Sequence, residues 1–345
     1  MGQLGFWNLE ERYQKLQQKQ DLLVNLNEVV PWEEFRPRLN QIHQKERKSP
    51  AGRKPTDVVV MFKMLVLQKL YNISDEALEY QVNDRLSFMR FLGFGLEDKV
   101  PDATTVWLFR EDLQKHGLID ELFEQFDFYL QQQGYAAQGG QIVDATLIPV
   151  PIQRNSSKEN EQIKQGQQPQ EWAETPHKAR QKDIDARWTK KNNKSHFGYK
   201  NHISIDVEYG FIRGYAVSDA SVHDSQMLGA VLDDDNAERG VWADSAYRSE
   251  AIEDVLEGMG FDSHIHERSY RNRPLSEQQK EKNRERSKTR AKVEHVFGDW
   301  TTSMGGKVLR TIGIERAKTN LGLKNLVYNF KRLVFWQGRS AQTVQ

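Results

Sequence analysis

The 345-residue chain contains no cysteine. That removes disulfides, thiolate metal sites and cysteine nucleophiles from consideration, and Cys-type zinc fingers with them. It also fits a reducing compartment. Net charge is absent as well, since 49 Lys/Arg balance 49 Asp/Glu, so only the distribution of charge along the chain can point to a partner. No run of about 18 apolar residues occurs, so no transmembrane helix is expected. The opening residues, Met1 to Asn8, lack the basic-then-apolar order of a secretory signal, and a cytoplasmic setting follows as the expectation. What remains is 37% hydrophobic residues, enough for a buried core, in a length that suggests two or three domains.

The first 135 residues read as helical. Val58 to Leu67 form an apolar run after Thr56 and predict a helix buried on most sides. Ser74, with Asp75 and Glu76 behind it, is a helix start, and Leu78, Val82, Leu86 and Met89 follow at helical spacing. Asp102 or Thr104 is placed to cap a further helix bearing Val106, Phe109 and Leu113. A basic approach segment, Lys45, Arg47, Lys48, Arg53 and Lys54, makes a helical DNA-binding domain over residues 1–135 the reading, against a helical scaffold or dimerisation domain.

Near Gly134, Gly139 and Gly140 the pattern changes. Residues 141–150 alternate and are rich in Ile, Val, Thr and Leu, a strand signal. Residues 153–195 are polar, with Trp172 and Trp188 as exceptions that would dock the segment or meet a partner; much of the segment is expected to be mobile. Strands resume at 196–208 and 211–217 around Tyr209-Gly210, a hairpin signal. A short helix is expected from Asp224 to Leu232, a buried strand at Val241–Ala243, a helix at Glu250–Met259 and a fifth strand at Ser263–His266. One long helix, Ser276 to Thr302, and a last one, Arg316 to Phe335, complete the pattern. The expected fold is α/β: a mixed five-stranded sheet flanked by helices over residues 136–345, preceded by the all-helical N-terminal domain. This is also the element order of an RNase H-like fold, although periodicity alone does not separate that fold from other five-stranded sheets.

Three carboxylates stand out. Asp144 lies in Ile-Val-Asp-Ala-Thr, Asp244 in Trp-Ala-Asp-Ser-Ala-Tyr, and Glu294 in Ala-Lys-Val-Glu-His-Val-Phe-Gly. Two strand ends and a helix supplying carboxylates beside a basic surface are what metal-assisted cleavage of a polyanion requires. Asp206, Asp219, Asp224 and Glu267 are rivals better read as turn formers or caps, Asp224 most simply as a helix cap. The helix of Glu294 carries two i+4 basic rows, Lys280–Arg284–Lys288–Lys292 and Lys282–Arg286–Arg290, and Arg268 to Lys292 hold ten Lys/Arg against three Glu. Val293, Val296, Phe297 and Trp300 form its apolar stripe. The rows would meet phosphates, with strongly salt-dependent binding; a solvated amphipathic helix is the plainer alternative.

These stretches, with Gly52-Arg53-Lys54-Pro55, Pro101-Asp102-Ala103-Thr104-Thr105, His196-Phe197-Gly198-Tyr199-Lys200-Asn201-His202 and Asp219-Ala220-Ser221-Val222-His223-Asp224-Ser225, resemble in order and spacing the DDE transposases of bacterial insertion sequences, in particular the IS5 family within the IS4-like group. The resemblance covers roughly residues 50–335. It implies an RNase H-like catalytic domain with Asp144, Asp244 and Glu294 binding two Mg²⁺, with Mn²⁺ as a substitute. It further implies cleavage of double-stranded DNA at terminal inverted repeats, joining of 3′-hydroxyls to target DNA, a homodimer in the synaptic complex and a nucleoid setting without membrane. DNA contacts would come from Arg53, Lys54, Lys200, Arg284, Arg286, Lys288, Arg290 and Lys292. The family's catalytic helix has Tyr and Lys where this chain has Ser287 and Thr301; Lys307 and Lys292 are candidates for the missing phosphate contact. His196, Tyr199 and His202 are further candidates along the DNA path, Tyr199 more readily as a core residue. A nuclease that cuts without joining, and a silent DNA-binding derivative, are the alternatives.

Overall fold

The computed structural model describes residues 11–15, 21–43, 55–172, 174–270 and 273–343. Arg53 and Lys54, with the rest of the basic approach segment, lie outside them. The chain divides into two compact units, Met1–Leu122 with Val327–Gln345, and Phe123–Leu326.

The first unit is helical: α1 (Leu22–Val29), α2 (Val58–Tyr71), α3 (Asp75–Asp84), α4 (Leu86–Leu92), α5 (Ala103–Lys115) and the start of α6 (Leu118–Gln132). Asp57 rather than Thr56 opens α2, its carboxylate accepting from the backbone N–H of Val59 and Val60. Most of α2 is buried, and Asn72 in the left-handed region (φ 50°) ends it, as expected of an apolar helix with a left-handed stop. Ser74 caps α3 and Asp102 caps α5. Arg110 ties three helices together, donating to Gln68 at 2.8 Å and to both carboxylate oxygens of Asp75 at 2.8 and 2.7 Å. Trp32, Phe35, Phe62, Phe91 and Phe330 form the aromatic centre of the unit, with edge-on pairs such as Trp32–Phe330 at 5.5 Å, a favoured geometry for packed rings.

The second unit is built on one mixed sheet. Its strands are β1 (Gln141–Pro149), β2 (Arg187–Lys191), β3 (Lys194–Asp206), β4 (Ile212–Asp219), β5 (Gly240–Trp242) and β6 (Asp262–Ser263). β3 pairs antiparallel with β1, β2 and β4, whereas β1, β5 and β6 run parallel. Setting β2 aside, the order is β4-β3-β1-β5-β6, the arrangement the RNase H-like expectation requires. β2 makes six strands rather than five. It was missed because Arg-Trp-Thr-Lys-Lys offers no apolar alternation; pairing with β3 makes it a strand.

The polar segment around β2 carries regular structure. α7 (Ser157–Lys164) opens on a reciprocal Ser156/Glu159 capping box, a strong local start signal. Trp172 is fully buried and donates to Glu159 at 2.6 Å, so it docks the segment. Tyr199 is equally buried in β3 and its hydroxyl reaches Asp183 at 2.8 Å.

α8 (Glu250–Gly258) packs through Leu256 into a core of Val143, Leu228, Val231, Val241, Ala243, Tyr247, Phe261 and Ile265. The expected single helix 276–302 is interrupted. It forms α9 (Glu277–Arg290), a 3₁₀ turn (Ala291–Val293) and α10 (Glu294–Thr302). Ala, Lys and Val carry no breaker, so local propensity could not reveal the turn. α11 (Ile314–Thr343) outruns its expected end at Phe335, because its later turns lack the apolar spacing used to trace it.

Candidate active site

The parallel pairing of β1 with β5 places two of the carboxylates. Gln141 faces Val241 and Ile142 faces Trp242. Continuing that register by two residues on each strand brings Asp144 level with Asp244, just past the last paired residues. Carboxyl ends of adjacent parallel strands are where α/β sheets open a crevice. Close approach here depends on glycine: Gly140 has φ +80°, and a Cβ on it would lie 2.5 Å from the Gly240 carbonyl oxygen. A side chain would wedge β1 from β5 and separate the two carboxylates.

Each aspartate is fixed through one oxygen. Asp144 Oδ1 accepts from the N–H of Ala145 at 2.7 Å, and Asp244 Oδ1 accepts from the N–H of Ala246 at 2.8 Å. Arg290, the last residue of α9, donates from a terminal guanidinium nitrogen to Asp144 Oδ2 at 3.0 Å. The 3₁₀ turn then carries the chain from Arg290 to Glu294, an exposed residue at the start of α10, anchored beneath by buried Val293, Val296 and Trp300. Burial pushes the Asp144 carboxyl up to about 6; Ala145 and Arg290 oppose the rise, and Asp244 and Glu294 add to it by repulsion. Asp244 and Glu294 thus both bear electrostatically on Asp144.

This donor set suits a hard divalent cation, which takes carboxylate oxygens and keeps waters. Among the described residues no three carboxylate or imidazole groups converge closely enough to share one ion.

Tyr247, just past Asp244, is a residue that the sequence did not single out. The Tyr247 hydroxyl, His202 Nδ1 and Arg290 Nε are buried without a hydrogen-bond partner. Tyr247 lies in the field of Asp144, Asp224 and Asp244, and burial drives its phenol well above the ordinary range. Burial also lowers His202 to about 4, with Asp224 opposing and Lys200 reinforcing; its Nε2 meets Ser218 Oγ at 2.8 Å. Asp224 is not the helix cap expected of it, because His223 fills that position. Instead the Lys200 ammonium sits 2.8 Å from Asp224 Oδ1 while donating to the Val222 carbonyl at 2.7 Å. Unpaired buried polar atoms are uncommon and costly, and Tyr247 and Arg290 place two of them near Asp144.

The expected DNA contacts divide. Lys200 is turned inward, with 13% of its side chain exposed. Arg286 donates to the Ile265 carbonyl at 2.7 Å and pairs with Glu267, and Arg290 serves Asp144. Arg284, Lys288 and Lys292 are exposed, Arg284 beside Glu281 and Lys292 on the Val207 carbonyl. One i+4 row therefore faces solvent, and Arg286 and Arg290 of the other turn to the fold. Where the resemblance expects Tyr and Lys, the Ser287 hydroxyl bonds the Asn283 carbonyl at 2.7 Å and Thr301 bonds the Phe297 carbonyl at 2.9 Å. Lys307 instead reaches β1, its ammonium donating to Thr146 Oγ1 at 2.9 Å.

No helix among the described residues is long and apolar enough to cross a membrane. One solved structure, titled a piggyBac transposase synaptic complex with hairpin DNA, aligns over 94% of this chain and 76% of that chain, at 12% identity and a TM-score of 0.43. That likeness is too low to carry weight. Two family matches are decisive. Residues 10–112 match the family described as Transposase domain (DUF772), and residues 136–330 match the one described as Transposase DDE domain. The second match spans more than half of the chain and takes in β1, β5 and α10 with their carboxylates: the chain belongs to the DDE transposase family.

Proposed function

We propose that the protein is a transposase of the IS5 kind, which binds the terminal inverted repeats of an insertion sequence, cuts phosphodiester bonds at its ends and joins the 3′-hydroxyls to target DNA. The observation that carries this reading is the β1–β5 register, which brings Asp144 level with Asp244 while Glu294 acts on the same place. Two divalent cations, Mg²⁺ or Mn²⁺, would be held by Asp144 with Asp244 and by Asp144 with Glu294. When bound they activate the attacking oxygen and stabilise charge on the leaving one. The chain's own residues supply orientation. The N–H groups of Ala145 and Ala246 each fix one carboxylate oxygen. Arg290 holds Asp144 in place. Exposed Arg284, Lys288 and Lys292 meet the backbone of double-stranded DNA, and pairing of two element ends calls for a homodimer.

Incubating labelled element ends with the protein and Mg²⁺ tests this. Joined products are expected; cut products alone would identify a nuclease, and binding without cutting a silent derivative. Glu294→Gln should lower cutting at least about a thousand-fold, about 4 kcal/mol of barrier, while DNA binding persists. Retained cutting would remove Glu294 from the site.

A further inference from the structure

His266 stands level with the aspartates, one strand further on. β5 and β6 run parallel, with Gly240 opposite Asp262 and Val241 opposite Ser263. The ladder outlasts the strands. The N–H of His264 reaches the Val241 carbonyl at 2.8 Å, and that of His266 reaches the Ala243 carbonyl at 3.1 Å. Trp242 and His264 accordingly stack, with ring centroids 4.5 Å apart, while Ala243 and Ile265 are both buried in the core on the other face. Alternation then sets Asp244 and His266 beside each other on the Trp242 face, one strand spacing of about 4.8 Å apart. Asp144, Asp244 and His266 share one level across β1, β5 and β6.

α9 crosses these strand ends. Arg290 donates to Asp144 at 3.0 Å and, one turn earlier, Ser287 Oγ meets His266 Nε2 at 3.3 Å. The Ser287 hydroxyl has a single proton and donates it to the Asn283 carbonyl at 2.7 Å. Towards His266 it is therefore left to accept, and Nε2 carries the ring proton. In the neutral imidazole Nδ1 is then a bare lone pair, with no hydrogen-bond partner among the described residues. A ring tied down through one N–H, with its other nitrogen bare, is the form in which histidine ligates metals.

Resting on the transposase reading, we infer that His266 Nδ1 and the Asp244 carboxylate form a mixed nitrogen–oxygen pair that binds one divalent cation of the site. Among the described residues no third group converges on that pair, so waters complete the coordination. Imidazole is a ligand of transition ions, whereas Mg²⁺ takes hard oxygens; the pair therefore favours Mn²⁺ over Mg²⁺.

The test adds Mn²⁺ to the full chain without DNA at about pH 8, where an ordinary imidazole is neutral, and reads the electron spin-echo of the bound ion for modulation by a coordinated nitrogen. The unaltered protein should show the modulation. His266→Ala, which removes a half-buried side chain, and Asp244→Asn should lose it, while His264→Ala and His295→Ala should keep it. Bound Mn²⁺ without nitrogen modulation, or modulation that survives His266→Ala, overturns the inference and leaves the carboxylate site intact. Mn²⁺ that does not bind the unaltered protein, or binds it equally well after Asp144→Asn and Asp244→Asn, overturns the metal-site reading as well.

Discussion

Two aspartates on neighbouring strands of the same sheet, one buried and one half-buried, show how differently a carboxylate can be kept. Asp206, at the end of β3, is fully buried and satisfied on all sides. It accepts from the N–H groups of Tyr209, Gly210 and Phe211 at 2.5, 3.2 and 3.0 Å, and from Arg213 at 2.9 Å. Arg213 in turn pairs with Asp127 at 2.6 Å. Asp144, on β1, has one backbone donor and one guanidinium and is repelled by two further carboxylates. The first arrangement closes a turn and holds a fold together. The second keeps a carboxylate under repulsion from two others, the kind of perturbed group that supports the proposed cation site.

Removing each carboxylate should separate the two roles. Asp206→Asn leaves Arg213 short of one of its two charge partners in the interior and should cost about 3–5 kcal/mol by chemical denaturation. A loss below about 1 kcal/mol would break the contrast. His202 supplies a pH-dependent measure of the unsatisfied region. Its folded pKa, about 4, lies below the ordinary 6.5. The unfolded chain therefore binds the extra proton, and stability present above pH 6.5 is lost as pH falls towards 4, by about 3 kcal/mol in full. His202→Gln should flatten that part of the stability–pH curve. Asp144 behaves in the opposite sense. Its folded pKa, about 6, exceeds the ordinary 3.8, so its charged form burdens the ion-free protein once pH rises through 6. Asp144→Asn should stabilise that protein at neutral pH by about 1–3 kcal/mol, measured by thermal unfolding in chelator.

Much of this contrast was legible in the sequence, and its limits are physical. Asp144 and Asp244 end short apolar runs, and Glu294 sits between basic rows and an apolar stripe; those patterns survive folding because periodicity and strand pairing generate them. Asp206, read as a turn former, is one in the structure, where turn N–H groups and Arg213 use its oxygens. What could not be read was long-range. Lys200 alternates in a strand like any exposed lysine, yet Asp224 and the Val222 carbonyl draw it inward. The 3₁₀ turn before Glu294, the strand character of Arg187–Lys191 and the approach of Lys307 to Thr146 depend on partners distant in sequence.

The central claim is that Asp144 and Asp244 form an incomplete site that a divalent cation completes. Thermal unfolding in rising Mg²⁺ tests it without DNA. Ligand at about a hundred times its dissociation constant should stabilise the unaltered protein by about 2.7 kcal/mol, and the gain should vanish in Asp144→Asn and Asp244→Asn. An equal Mg²⁺-dependent rise in melting temperature in those variants would contradict the account.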